Sequence, residues 1–521
     1  MGLYFFLPDY LFQALSTFNW MNWISPNNVK LALISGTVTG LGFNPISTFD
    51  WNMITGVSPV LISPFFSTAN TLMAMLITGI FFIPAVYFTN TWYTAHLPIN
   101  SNRVFDNTGH LYNASRILSS HGLFNETGYQ TYSPMYMSAA NAVIYGTFFS
   151  VYPATLVYAY LYHRREIKNA FLALVRRSSN SQLNNDVHNR LMEQYKEVSE
   201  IWYFALMAIS MIFGIVCVKS YPTQTPVWAI FFALGLGLVF IVPCGIIYAV
   251  SNVQITLNVL AELVGGFAIP GNPLSLDIIK TYGYIVTARA ISFAQDLKLG
   301  HYVKIPPRTM FISQSIATII GACVSLGVMN WQIENIEGIC TRQQPQKFTC
   351  PGPNTFFTAS AFWGILGPAK VYGPGGLYHI LMWGFFIGGF IPIPFYFFTK
   401  RYPNSWVKYV HVPILLYGMA GWAPYNLSYI WPGTIVAFIF QVYIRRRYLP
   451  WWSKYNYVLS TAFTCGVAVA GIVIFFAFQY KGVQVNWWGN NVSNVGADGE
   501  GTPLLPIPNK GYFGPGPGEF D

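Results

Sequence analysis

From Ser67 to Phe88 the chain runs without a charged side chain, and a helix over that run is long enough to cross about 30 Å of hydrocarbon. Comparable runs recur along the sequence, and the stretches between them hold the basic residues. Irregular backbone survives at membrane depth only when it is buried in protein or lines a water-filled cavity, so the expected fold is an all-α polytopic membrane helix bundle. Prolines inside several runs add re-entrant or broken helices to that expectation. Composition excludes a soluble domain: 53% of residues are hydrophobic and 9% charged, against roughly 25% charged in soluble proteins. The 18% aromatic content suits interfacial belts. A formal net charge of +10 raises nucleic acid as a partner, but the basic residues sit in short inter-helix loops, where they read as topology.

In chain order, Met1-Gly2-Leu3-Tyr4 offers no basic n-region and Asp9 interrupts the first apolar run, so no cleavable signal peptide is expected. Leu3 to Phe18 reads as a partial or interfacial helix, and Val29 to Phe43 as an apolar run rich in small residues. Pro45, Pro59 and Pro64 break the next stretch. The 89–139 loop holds only Arg103 and Arg116 as basic residues, with glycosylation acceptors at Asn113 and Asn125, and is expected outside. A helix from Ala140 to Tyr162 leads to the 163–199 loop, expected to be cytoplasmic from Arg164, Arg165, Lys168, Arg176, Arg177, Arg190 and Lys196.

Further crossings are expected at Ile201–Val218, Val227–Val250, Met310–Trp331, Leu377–Phe398 and Tyr457–Phe478. Hairpins are expected from Gln254–Pro270 with Leu276–Gln295 and from His411–Trp422 with Leu427–Ile444, and Pro351–Gly376 reads as half-inserted. Residues 1–481 thus form a transmembrane domain, and 482–521 a polar Gly/Pro-rich tail with an external acceptor at Asn491. Cys217, Cys244, Cys323 and Cys465 lie in apolar runs and read as small hydrophobes. Cys340 and Cys350 share a polar loop without zinc spacing, and a disulfide is expected if that loop faces an oxidising compartment.

Thr281 to Arg308 joins a helical run to a basic, proline-rich end. Tyr284, Ala288, Ile291 and Gln295, continued back to Asp277 and Lys280, fall on one helical face as a polar stripe. Lys304-Ile305-Pro306-Pro307-Arg308 cannot continue that helix, and the next apolar run starts at Met310. This end resembles the second signature of the oligopeptide transporter family. The stretch GLGFNPISTFDWN around Asn44-Pro45, the block from Asn258 to Tyr284 and the terminal PGPGE are similar to its eukaryotic small-oligopeptide branch. The family's other signature, a Gly/Pro-rich block nearer its N-terminus, is not found, which implies the later part of a longer member. The resemblance implies a secondary transporter importing small oligopeptides by proton symport, in the plasma membrane or alternatively a vacuolar or other endomembrane. Related branches carry glutathione or siderophore-like metal chelates.

An ionisable side chain near the bilayer centre costs about 2.5 to 3.5 kcal/mol for Asp, Lys or Arg, so Glu262 asks for a reason. It is either the proton-coupling carboxylate beside a solvated cavity or a glutamate satisfied by a neighbouring helix. Lys280, Tyr284 and Asp277 are the substrate-binding candidates, with Lys280 also a partner for Glu262; alternatively Asp277 and Lys280 pair along their own helix. Arg289 points about 120° away from that stripe. Lys304 and Arg308 serve equally as cytoplasmic anchors, and His301 and His379 at helix ends need no special role. No glycine-rich Lys-Ser/Thr phosphate loop is found, so an ion gradient is the expected energy source, with no cofactor and no metal. The expected partners are a small peptide, protons and the lipid bilayer. A multi-pass membrane enzyme is the remote alternative, resting on Asp106, His110, His121 and Glu126, whose spacing fits no metal-ligand pattern.

Overall fold

A computed structural model describes residues 2–520 apart from 177–186, 342–343, 345–347, 349, 424 and 484. Arg177, one of the basic residues that assign the 163–199 loop, lies outside the described residues. Eight helices among the described residues are long and apolar enough to cross a membrane: Phe65–Phe88, Ala139–Leu172, Glu200–Ser220, Trp228–Ser251, Pro307–Asn335, His379–Arg401, Leu427–Arg447 and Leu449–Gln479. The chain is an all-α polytopic bundle. Its one two-stranded sheet among the described residues pairs Val104 with Met137 and Phe105 with Tyr136, antiparallel, in the 89–139 loop.

The Ala139–Arg176 helix is the axis on which the bundle packs. It continues well past Tyr162, where the sequence suggested a loop, because Arg164, Arg165, Glu166 and Lys168 are good helix formers and no breaker intervenes. Charge there ends the apolar stretch without ending the helix. Gly384–Phe390 and Val412–Met419 lie against this axis. Gly384 and Gly388 face Gly146 and Ser150, and a Cβ on Gly388 would strike the Ser150 backbone. Small residues four apart on both helices let the backbones touch without a large side chain between them.

One apolar run and one expected crossing hold helices shorter than their sequences suggest. Val29–Phe43 is helical only over Val29–Ser35, after which Gly36 to Gly40 turns around a buried carboxylate of the C-terminal tail. Gln254–Pro270 is helical only over Asn258–Ala268, 11 residues or roughly 16 Å, which is half a crossing. Asn252 ends the preceding helix at φ 58°, and 253–257 is non-helical. That irregular backbone borders a cavity, as backbone at membrane depth must.

The return helix begins at Pro273, with the Asn272 side chain accepting from the Ser275 amide at 3.0 Å, and runs to Lys280. A π-helical turn at Thr281–Ile285 comes next, then Val286–Val303. Lys304 closes that helix at φ 69°, and the next starts at Pro307 rather than Met310, since a proline at the first helical position forfeits no needed N–H. Thr355–Leu366 is a second short apolar helix, π-helical from Ser360, and it packs against both Asn258–Ala268 and Pro273–Lys280.

Residues 485–520 fold back over the start of the chain and the 89–139 loop. Asn490 Nδ2 donates to the Tyr10 carbonyl at 3.0 Å, and the Gly518 amide to that of Gln130 at 2.9 Å. Phe513 stacks on His96 with ring centroids 5.1 Å apart. Cys340 and Cys350 are joined in a disulfide.

Candidate functional site

Three short elements, Asn258–Ala268, Pro273–Lys280 and Thr355–Leu366, meet beside the axial helix, and the acidic and basic groups of the bundle interior converge there. Glu262 Oε1 lies 2.5 Å from Lys280 Nζ, with the side chains 1% and 3% exposed. The ammonium also sits 3.8 Å from the centre of the Phe356 ring. Asp277 turns elsewhere: its Oδ1 accepts from Ser360 Oγ at 2.6 Å. The structure therefore pairs Lys280 across helices, and the alternative of an Asp277–Lys280 pair along one helix is not what it contains.

Glu262 faces a cavity of about 590 Å³. Its walls include Asn141 and Tyr145 of the axial helix, Asn258 one turn before Glu262, Tyr417, Trp422 and Gln295. Among the described lining residues Glu262 is the single charged side chain. The Asn258 Oδ1 acceptor and the Trp422 Nε1 donor, both on cavity-lining residues, are buried without a hydrogen-bond partner among the described residues. On the cavity lining Asn102 Nδ2 donates to Thr355 Oγ1 at 2.6 Å, and Tyr248 donates to the exposed Gln295 at 2.7 Å, on the helix that leads to Lys304.

The remaining candidates are dispersed. Asp277 borders a separate, apolar groove of about 680 Å³ with Phe356, Phe357 and Ser360. Tyr284 is half-buried against the core and is not among the cavity's described lining residues. Arg289 is exposed on the same helix. Lys304 Nζ contacts His188 Nδ1 at 2.8 Å and the His301 carbonyl at 2.9 Å, and Arg308 Nε donates to the Glu197 carbonyl at 3.0 Å. With Ile305, Pro306 and Pro307 between them, these two bases fasten the 187–199 segment to the helix break, well away from Glu262.

Asn113, Asn125 and Asn491 lie in the 89–139 loop and the tail. Asn113 and Asn125 cap short helices, accepting from Ser115 N at 3.1 Å and Gly128 N at 3.2 Å, and Asn491 donates to Asn486 Oδ1 at 2.7 Å. His379 Nδ1 contacts the Gly376 carbonyl at 3.0 Å. Asn141, Asn258 and Trp422 were not singled out in the sequence. The signal for Asn258 was present: four residues before Glu262, it shares that residue's helical face.

A model of the OPT oligopeptide transporter protein family matches residues 1–478. Among curated relatives, oligopeptide transporter 2 of Saccharomyces cerevisiae is 41% identical over 540 residues, covering 100% of this chain and 61% of its own length. Glutathione transporter 1 of Schizosaccharomyces pombe is 36% identical over 512 residues, covering 98% and 59%, and oligopeptide transporter 1 of Arabidopsis thaliana 35% over 497, covering 93% and 65%. The chain thus spans about three-fifths of the length of these relatives. Family and relatives are transporters rather than enzymes, which removes the multi-pass enzyme alternative and the role it gave Asp106, His110, His121 and Glu126.

Proposed function

We propose, from the premise that this chain belongs to the oligopeptide transporter family, that it forms the translocation core of a secondary transporter importing small oligopeptides by proton symport. The observation that carries the reading is Glu262: a carboxylate lining a cavity inside the helix bundle, with its counter-ion Lys280 behind it in the wall. A carboxylate so placed takes a proton from cavity water without leaving the protein interior. Each charge moved down the membrane potential provides about 2.3 kcal/mol per 100 mV. The buried Asn258 carbonyl and Trp422 N–H, on cavity-lining residues and without a partner among the described residues, supply an acceptor and a donor that match the two polar groups of a peptide bond once a small movement exposes them.

Binding and release then proceed by differential affinity. A peptide in the cavity binds the neutral amide and aromatic walls while Glu262 carries the proton, so peptide and proton load together and the proton's loss on the inner side accompanies release of the peptide. Asn102 of the 89–139 loop is bonded to Thr355 across the lining, and the exposed Gln295 lies on the helix that leads to the basic Lys304–Arg308 break, an arrangement that suits an inward-facing state. Import in this sense fits the plasma membrane.

Glutathione, carried by name by one relative, is the second reading. It has net negative charge, and the described cavity walls present Glu262 without a cation among them, which favours an uncharged or zwitterionic peptide over it and over an anionic chelate. Uptake of a labelled neutral peptide, with glutathione and a metal chelate as competitors, separates these cargoes. For coupling, Glu262→Gln retains volume and hydrogen bonding while abolishing titration. The expected result is surface-expressed protein that exchanges peptide across the membrane but no longer accumulates it at acidic external pH. Unchanged uphill uptake with an unchanged pH profile would remove Glu262 from the proton path.

A further inference from the structure

The wall behind Glu262 has a second anion on its other side. Lys280 is absent from the described linings of both the 590 Å³ cavity, which Glu262 borders, and the 680 Å³ groove, which Asp277 borders. Its ammonium lies between them, against Glu262 on one side and the ring of Phe356, a groove residue, on the other. Asp277 precedes Lys280 by three positions on one helix, a spacing that places side chains about 5–6 Å apart at Cβ. Rotation of the lysine stem is therefore enough to change partner. The hydroxyl that holds Asp277 has its own alternative acceptor: Ser360 Oγ is 2.6 Å from Asp277 Oδ1 and 3.0 Å from the Phe356 carbonyl. Both backbones are also irregular at this point. π-helical turns begin at Thr281, directly after Lys280, and at Ser360 itself, and such turns recur where helices carry function.

Resting on the reading of Glu262 as the proton-coupling carboxylate, we propose that Lys280 is a two-position cation that exchanges Glu262 for Asp277 in each transport cycle, making Asp277 the second anion of the coupling site. Protonation of Glu262 forms one O–H bond and cancels the charge that holds the ammonium. Lys280 keeps its three protons and turns to Asp277, while the Ser360 hydroxyl passes from Asp277 to the Phe356 carbonyl. Loss of the proton from Glu262 reverses each exchange. At every stage the buried cation has an anion beside it, which avoids the large cost of leaving a buried charge alone. The other groups within electrostatic reach of Glu262 are phenols: Tyr145 and Tyr152 of the axial helix, Tyr372 after the re-entrant helix and Tyr284 below Lys280. Phenols carry no charge near neutrality, and Arg289 acts electrostatically on Tyr284. Lys280 thus has Glu262 and Asp277 to choose between.

Two measurements on the full chain test this. In peptide uptake, Asp277→Asn should fall to an accumulation ratio of about 1 while peptide exchange persists, and Asp277→Glu should restore accumulation with a shifted pH profile. If Glu262→Gln abolishes accumulation and Asp277→Asn does not, the exchange of partners is overturned while the role of Glu262 stands. If Glu262→Gln still accumulates peptide, the underlying reading fails with it. The second measurement needs no transport. In purified protein, Asp277→Asn should lower the melting temperature further in the Glu262→Gln background than in the parent, by about 3 °C or more, because Asp277 is then the anion left to Lys280. Strict additivity of the two losses would overturn the proposal even for variants that fail to transport.

Discussion

Glu262 and Asp498 are both about 1% exposed, yet the chain treats the two carboxylates in opposite ways. Asp498 is held by neutral donors: the consecutive amides of Thr37, Val38, Thr39 and Gly40 at 2.9–3.1 Å, the Asn19 amide at 2.6 Å and the Thr39 hydroxyl at 3.3 Å. Glu262 has one cation and borders open space. A carboxylate held by many fixed dipoles is a structural tie, because any movement breaks several bonds at once. One held by a single mobile cation can be released by a single proton. Burial by itself therefore does not mark the functional acid; the number and kind of its partners does.

The comparison breaks most visibly at Asp498. Asp498→Ala leaves the 37–40 amides and Asn19 without their acceptor and is expected to cost on the order of 5 kcal/mol, read as lost surface expression and a lower melting temperature. A stable, fully expressed Asp498→Ala protein would show that the cradle finds water instead. Next in size is Lys280→Met, which strands Glu262 and should cost about 3 kcal/mol, most of it regained when Glu262→Gln is added. No recovery in the double variant would make Lys280 a packing residue rather than a counter-ion. Gly496→Ala sharpens the other side: Gly496 has φ 78° and a Cβ there would lie 2.7 Å from the Pro26 carbonyl oxygen, so loosening the Asp498 turn should cost about 1–2 kcal/mol in the same melting assay.

The smallest effect is expected at a pair that is neither buried nor enclosed. Lys370 Nζ lies 2.6 Å from Glu126 Oε1, with 29% and 52% of the side chains exposed. Partial burial pushes the Glu126 carboxyl up, but the hydrogen bonds from Lys370 and Gln130 outweigh it and hold the group below its ordinary range. A depressed folded-state value contributes stability above the unfolded pKa, and that contribution is lost as pH falls through the folded value. Glu126→Gln should therefore change stability by less than about 1 kcal/mol at pH 7, with the difference vanishing in melts taken progressively below about pH 4.

The membrane bundle was legible in the sequence because apolar runs and basic loops are local quantities, and so was the break at Lys304–Arg308, where two prolines act on their own backbone. The interior acid and its base were legible for a similar reason, since a lone Glu and Lys in apolar surroundings stand out. Helix ends were less so. Val29–Phe43 and Gln254–Pro270 are mainly apolar with no proline before Pro270, and what shortens them is tertiary: the first wraps Asp498, and the second ends where the cavity begins. Asp498 itself was invisible. It sits in Gly-Ala-Asp-Gly-Glu, an ordinary polar stretch, and its donors are backbone amides whose identity no side chain announces.

The Asp498 tie also sets a clock on biosynthesis. Thr37 and Asp498 are 461 residues apart, so at about 5–20 residues per second the ribosome needs roughly 20 to 90 s to deliver the acceptor after its donors have emerged. Throughout that interval the four amides of 37–40 have no Asp498 carboxylate to bind and are left to water. A carboxylate made hundreds of residues later is what completes the turn at 37–40.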